Sequence, residues 1–142
     1  MADGTHREVR IERVRTGTYL ARNARGGELQ MTTGAASDDF TPVELLLAAI
    51  GGCSAVDVDT ITGRRAEPEV FEAVVGAENV RGEDGNILKD ITLTFTVRFP
   101  DGEAGDAARA ALPRAVQVSH DRSCTVSRTV EAPTPVTVTI TP

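Results

Sequence analysis

The segment Thr41-Pro42-Val43-Glu44 followed by LLLAAIGGCSAVDV constrains this 142-residue chain more than any other. Thr41 carries the hydroxyl of an N-cap, and Pro42 suits the first helical position, where a backbone N–H has no partner anyway. Glu44 lies three residues after the cap, completing a capping box in which each side chain accepts the other residue's N–H. A helix over residues 42–61 follows, apolar nearly all round in its first half, as a helix buried in a core reads. Asp57 and Asp59 interrupt the apolar run, so the helix reads as too short and too charged to cross a bilayer. Gly51 and Gly52 sit mid-helix at a cost of roughly 1 kcal/mol each against Ala, which predicts a close neighbour there, such as a crossing helix.

The flanking segments read mainly as strands. Residues 7–14 alternate charged and apolar side chains, and residues 19–22 extend the pattern beyond a Thr-Gly turn. GELQMTTGAASDD is a short strand running into a turn. Residues 70–80 and 87–99 flank GEDGN, with Ile91, Leu93, Phe95 and Val97 alternating, as in a β-hairpin. Residues 104–118 are Ala-rich and helical in character, with Pro113 kinking or dividing the element. Residues 124–130 and 136–140 are β-branched and alternate, which predicts a final strand pair broken by APTP. The order places the chain in the α+β class, one domain over residues 1–142 with antiparallel sheets and one long central helix.

A net charge of −6 argues against nucleic acid or an anionic membrane as partner. The charged start MADGTHREVRIE lacks the apolar run of a signal peptide, so the cytoplasm is the expected compartment. One Tyr, four Phe and no Trp provide little bulk for an independent core, so burial against a second subunit is expected as a supplement.

Chemistry rests on Cys53, within the first helix, and Cys124, after the second. Each taken alone reads as a small buried hydrophobe. The double context says more. TPVELLLAAIGGCSAVDV resembles the cysteine helix of the OsmC/Ohr family (osmotically inducible protein C-like and organic hydroperoxide resistance proteins), and SHDRSCTVSRTVEAPTPVTVTI resembles its second-cysteine segment. The likeness extends over nearly the whole chain and lies closest to the OsmC-like branch. It implies an intertwined homodimer in which sheets wrap a long buried helix from each subunit. It also implies that Cys53 is a peroxidatic thiol, oxidised by an organic hydroperoxide to a sulfenic acid, and that Cys124 resolves it as a disulfide. A dithiol reductant, lipoyl-type or other, would reset the pair in an oxidative stress response. No cofactor is implied.

The chain departs from the family pattern where the thiol would be activated. Peroxidatic members use an arginine held by a glutamate that directly follows the helix proline. Val43 occupies that slot here, and Glu44 is one residue later, placing it roughly 180° around the helix from Cys53 instead of about 80°. Glu44 therefore suits the cap better than the pocket. No arginine occurs between Gly26 and Gly63, where the OsmC branch carries its own. Arg25, before Gly26-Gly27, and Arg22 are the remaining candidates, each equally readable as an exposed strand or turn residue, and Arg122 is a further loop cation. Asp57, one turn after Cys53, would either disfavour a thiolate or hold a cation for it. His120 lacks a second ligand at metal spacing and His6 lies in the terminal tail, so no metal site is expected.

These residues favour a thiol-dependent peroxidase for organic hydroperoxides. The alternative is a non-peroxidatic relative that binds a small apolar or electrophilic ligand or senses redox state, which the missing Arg/Glu arrangement favours. A structural dimer module with inert thiols is the third reading.

Overall fold

The computed structural model describes residues 4–142. It divides into two compact units, the first ending at Leu46 and the second spanning residues 47–142.

The first unit is an antiparallel sheet of β1 (Val9–Arg15), β2 (Thr18–Asn23) and β3 (Glu28–Thr32), in the order β1-β2-β3. The expected hairpin turns at Thr16-Gly17, where Gly17 adopts φ 76°, a conformation that glycine accepts without strain. Beyond β3 the chain reaches Phe40, whose carbonyl accepts the Thr32 N–H at 3.1 Å, and enters the helix α1 (Pro42–Thr62). The capping box forms as the sequence predicts. Thr41 N donates to Glu44 Oε1 at 2.8 Å and Glu44 N to Thr41 Oγ1 at 3.2 Å.

The second unit contains most of α1, the hairpin β4 (Val70–Gly82) and β5 (Gly85–Arg98), and the helix α2 (Glu103–Val118), which runs unbroken through Pro113. α1 buries Ile50, Ser54, Val58 and Thr62, one residue per turn, together with Gly51. Within the chain Gly51 answers to a strand: a Cβ there would stand 2.6 Å from Val75 Cγ2 of β4, while Gly52 faces open space in the single chain. Within its 21 residues an 18-residue stretch reaches a mean hydropathy of 1.5, enough by length and composition to cross a membrane. Asp57 and Asp59 therefore do not exclude a span as the sequence reading expected. What ties α1 into the fold is its packing on β4 and the hydrogen bonds of Ser54 and Asp57.

The expected final strand pair is not there. Residues 119–123 form one wide π-helical turn, and Thr125–Glu131 is a short helix, α3. Residues 134–142 belong to no strand. The β-branched Thr125, Val126, Thr129 and Val130 recur at a spacing of four, which fits a helix despite their strand propensity. Burial of Cys124 and half-burial of Val126 and Ser127 decide for it. Topology among the described residues is thus βββαββαα, still α+β with antiparallel sheets.

Candidate functional site

Cys53 and Cys124 meet in the second unit. α1 presents Cys53, half-buried, and the turn between α2 and α3 delivers Cys124, fully buried and unbridged. Cys124 holds the position before the first residue of α3, with φ −75° and ψ 96°. Desolvation is the largest influence on Cys53 and pushes its thiol above the ordinary value. The backbone N–H of Val126 opposes this by hydrogen bonding to the sulfur, with a smaller contribution from that of Thr125. Cys124 raises the thiol further, because the Cys53 S–H hydrogen-bonds to it and a charge on one sulfur would repel a charge on the other. Cys124 in turn donates its S–H to Ser127 Oγ at 3.3 Å. The result is a short relay from Cys53 to Cys124 to Ser127.

Among the described residues, none of the groups that shift the Cys53 thiol is a cation. Arg22 is occupied within its own sheet, 2.9 Å from Glu12 Oε1 and 2.7 Å from Glu28 Oε2, and these carboxylates raise its already high pKa. Arg25 is exposed in the 23–27 turn, where its N–H donates to Asn23 Oδ1 at 3.0 Å. Arg122 is exposed in the π-helical turn. Glu44 accepts the Thr41 N–H, which holds its carboxyl below the usual range.

Among the described residues Asp57 forms no ion pair, and it is not one of the groups that shift the Cys53 thiol. Its Oδ2 accepts a hydrogen bond from Ser119 Oγ at 2.8 Å, and Ser54 Oγ lies 3.0 Å from the same hydroxyl. Because the Ser119 hydrogen is directed at Asp57, Ser54 is the donor in the second contact. Sequence reasoning missed Ser54, Ser119 and Ser127. The signal available was a serine next to Cys53, an acid one turn on, and a serine five residues before Cys124.

A cavity of about 310 Å³ lies beside the pair, with Ile50, Ile91, Leu93, Phe95 and Val116 among its walls and Ser54, Ser127, His120 and Glu131 as polar groups. It touches the thiol relay through Ser127. Among the described residues no cluster of three His, Cys, Asp or Glu side chains is disposed to hold a metal.

Comparison with known proteins gives consistent results. Residues 34–139 match the family described as OsmC-like protein. Protein YhfA of Escherichia coli strain K12 is 30% identical over 125 residues, 87% of this chain and 89% of the relative. The crystal structure of a hypothetical protein from Aquifex aeolicus superposes with a TM-score of 0.71 at 25% identity, covering 89% of this chain and 88% of that one. The organic hydroperoxide resistance protein OhrB of Bacillus subtilis superposes with a TM-score of 0.54 at 15% identity, covering 87% and 90%, a likeness of fold alone.

Proposed function

Because the chain belongs to the OsmC-like protein family, we propose that it is a thiol-dependent peroxidase for organic hydroperoxides, with Cys53 as the attacking thiol and Cys124 as its resolving partner. The observation carrying this reading is that the fold brings Cys53 of α1 and Cys124 at the start of α3 close enough for Cys124 to act on the Cys53 thiol. Ionised Cys53 attacks the O–O bond, takes one oxygen as a sulfenic acid and releases the other as an alcohol. The Cys124 sulfur then displaces water from the sulfenic acid to form the disulfide, so two thiols supply the two electrons. An external dithiol returns the disulfide to two thiols by exchange. The apolar cavity beside Ser127 suits the organic group of such a peroxide.

The elevated Cys53 thiol favours a second reading, a relative that binds an electrophile or senses redox state through the same pair. Consumption of cumene hydroperoxide by the reduced protein, with free thiols counted afterwards, separates the two. Fast loss of peroxide that disappears in Cys53→Ser supports the peroxidase, and loss no faster than with a free thiol sinks it.

The acting unit in this proposal is a homodimer in the cytoplasm. Exposed apolar side chains of the second unit support it: Val56 is 66% exposed on α1, and Val136, Val138 and Ile140 are 86, 81 and 91% exposed.

A further inference from the structure

We propose that Ser119 is a positioning residue that sets where Cys124 stands relative to Cys53, through a clamp of two hydrogen bonds to Ser54 and Asp57 on the helix that carries Cys53. The inference rests on the reading of the two cysteines as a redox pair and assigns the geometry of that pair to residues outside it.

Ser119 is fully buried, and both its hydroxyl contacts cross from the end of α2 to α1. Its backbone has a second task. The Cys124 N–H reaches back five residues to the Ser119 carbonyl at 2.8 Å, closing the wide turn, while the Ser119 N–H is held by the carbonyls of Ala115 and Val116. One residue therefore ties α1, the end of α2 and Cys124 together. π-Helical turns are rare and concentrate at functional sites, because the extra residue in the turn redirects the chain at an energetic cost. Here the redirection brings Cys124 to the start of α3, where it meets Cys53. Ser54 follows Cys53 directly and Asp57 lies one turn further, so the clamp grips the same stretch of α1 that holds the thiol. Loosening it would let the two sulfurs drift apart without altering either one chemically.

The test is the equilibrium of the full-length protein with glutathione. One glutathione disulfide accepts two electrons and becomes two thiols as one Cys53–Cys124 disulfide forms, so the constant measures the effective concentration of one cysteine at the other. Ser119→Ala removes both contacts and is expected to lower this constant about fivefold to tenfold, the size of about one net hydrogen bond. Asp57→Ala is expected to lower it less, and Asp57→Asn, which keeps an acceptor oxygen, to restore it. Thr41→Ala, which weakens the start of α1 without touching the clamp, serves as a control for general destabilisation and is expected to leave the constant unchanged. An unchanged constant in Ser119→Ala overturns the proposal. If Ser119→Ala does not fold, equal constants for Asp57→Ala and wild type overturn it instead. Hydroperoxide consumption is measured separately: a shifted constant in a protein that consumes no peroxide retires the peroxidase and leaves the positioning role standing. Failure of wild type to form the disulfide at all overturns both.

Discussion

Cys124 raises the thiol of Cys53, and Cys124 donates its own S–H to Ser127 Oγ 3.3 Å away. Desolvation around Cys53 acts in the same direction and more strongly, so the protonated form of its thiol is favoured over the thiolate.

The first prediction concerns that ionisation. Alkylation of Cys53 by iodoacetamide, followed by mass spectrometry against pH, is expected to have its midpoint above the free thiol value of about 8.5. Cys124→Ala removes one cause of the elevation and should move the midpoint down, leaving the part due to desolvation. Since the folded-state value is raised, the thiol's contribution to stability is present below the unfolded value and fades as pH climbs through the folded one. A midpoint at or below the free value in wild type would contradict the described environment.

Glu44 gives the opposite sign. Its carboxyl is lowered by the Thr41 N–H, so the stabilisation it provides is present above the unfolded value of about 4.3 and is lost as pH falls through the folded one. Glu44→Gln should flatten the acid limb of a urea stability profile and leave the Cys53 alkylation midpoint unchanged. A moved midpoint would return Glu44 to the thiol. Thr41→Ala removes the hydroxyl cap and should cost about 1 kcal/mol of unfolding free energy.

Packing of α1 on β4 is tested at Gly51. A methyl group there would stand 2.6 Å from Val75 Cγ2, on a β-branched side chain with little freedom to turn. Gly51→Ala should lose about 1–3 kcal/mol in chemical denaturation despite its better helix propensity. The double variant with Val75→Ala should lose less than the two single changes together, because truncating Val75 relieves the clash. A stabilised Gly51→Ala would show that the helix and strand do not approach this closely.

The proposed dimer predicts a solution mass near twice 15.0 kDa by light scattering, insensitive to dilution through the micromolar range. A mass near that of one chain would leave the exposed Val136, Val138 and Ile140 unexplained.

Local signals were legible where they were chemically specific. Thr41, Pro42 and Glu44 announce the start of α1 because a capping box needs those side chains at that spacing, and the structure forms both of its hydrogen bonds. The turns at Gly17 and GEDGN likewise delimit hairpins. Thr125 to Val130 was misread because β-branched composition was taken for a strand, although those residues recur at the helical spacing i, i+1, i+4 and i+5. Pairing of Ser119 with Ser54 and Asp57 was invisible, since no local rule joins a hydroxyl to a carboxylate so distant in sequence. Gly51 was recognised as a close approach, but whether strand or helix approached was not encoded in the glycine.

The most direct measurement is stopped-flow consumption of cumene hydroperoxide and hydrogen peroxide by the reduced protein across pH, with Cys53→Ser and Cys124→Ser alongside. The expected result is Cys53-dependent loss of the organic peroxide in preference to hydrogen peroxide, accelerating as pH rises toward the elevated thiol value, with one disulfide formed per chain. Loss no faster than that of a free thiol at every pH, with both cysteines still reduced, would contradict the peroxidase.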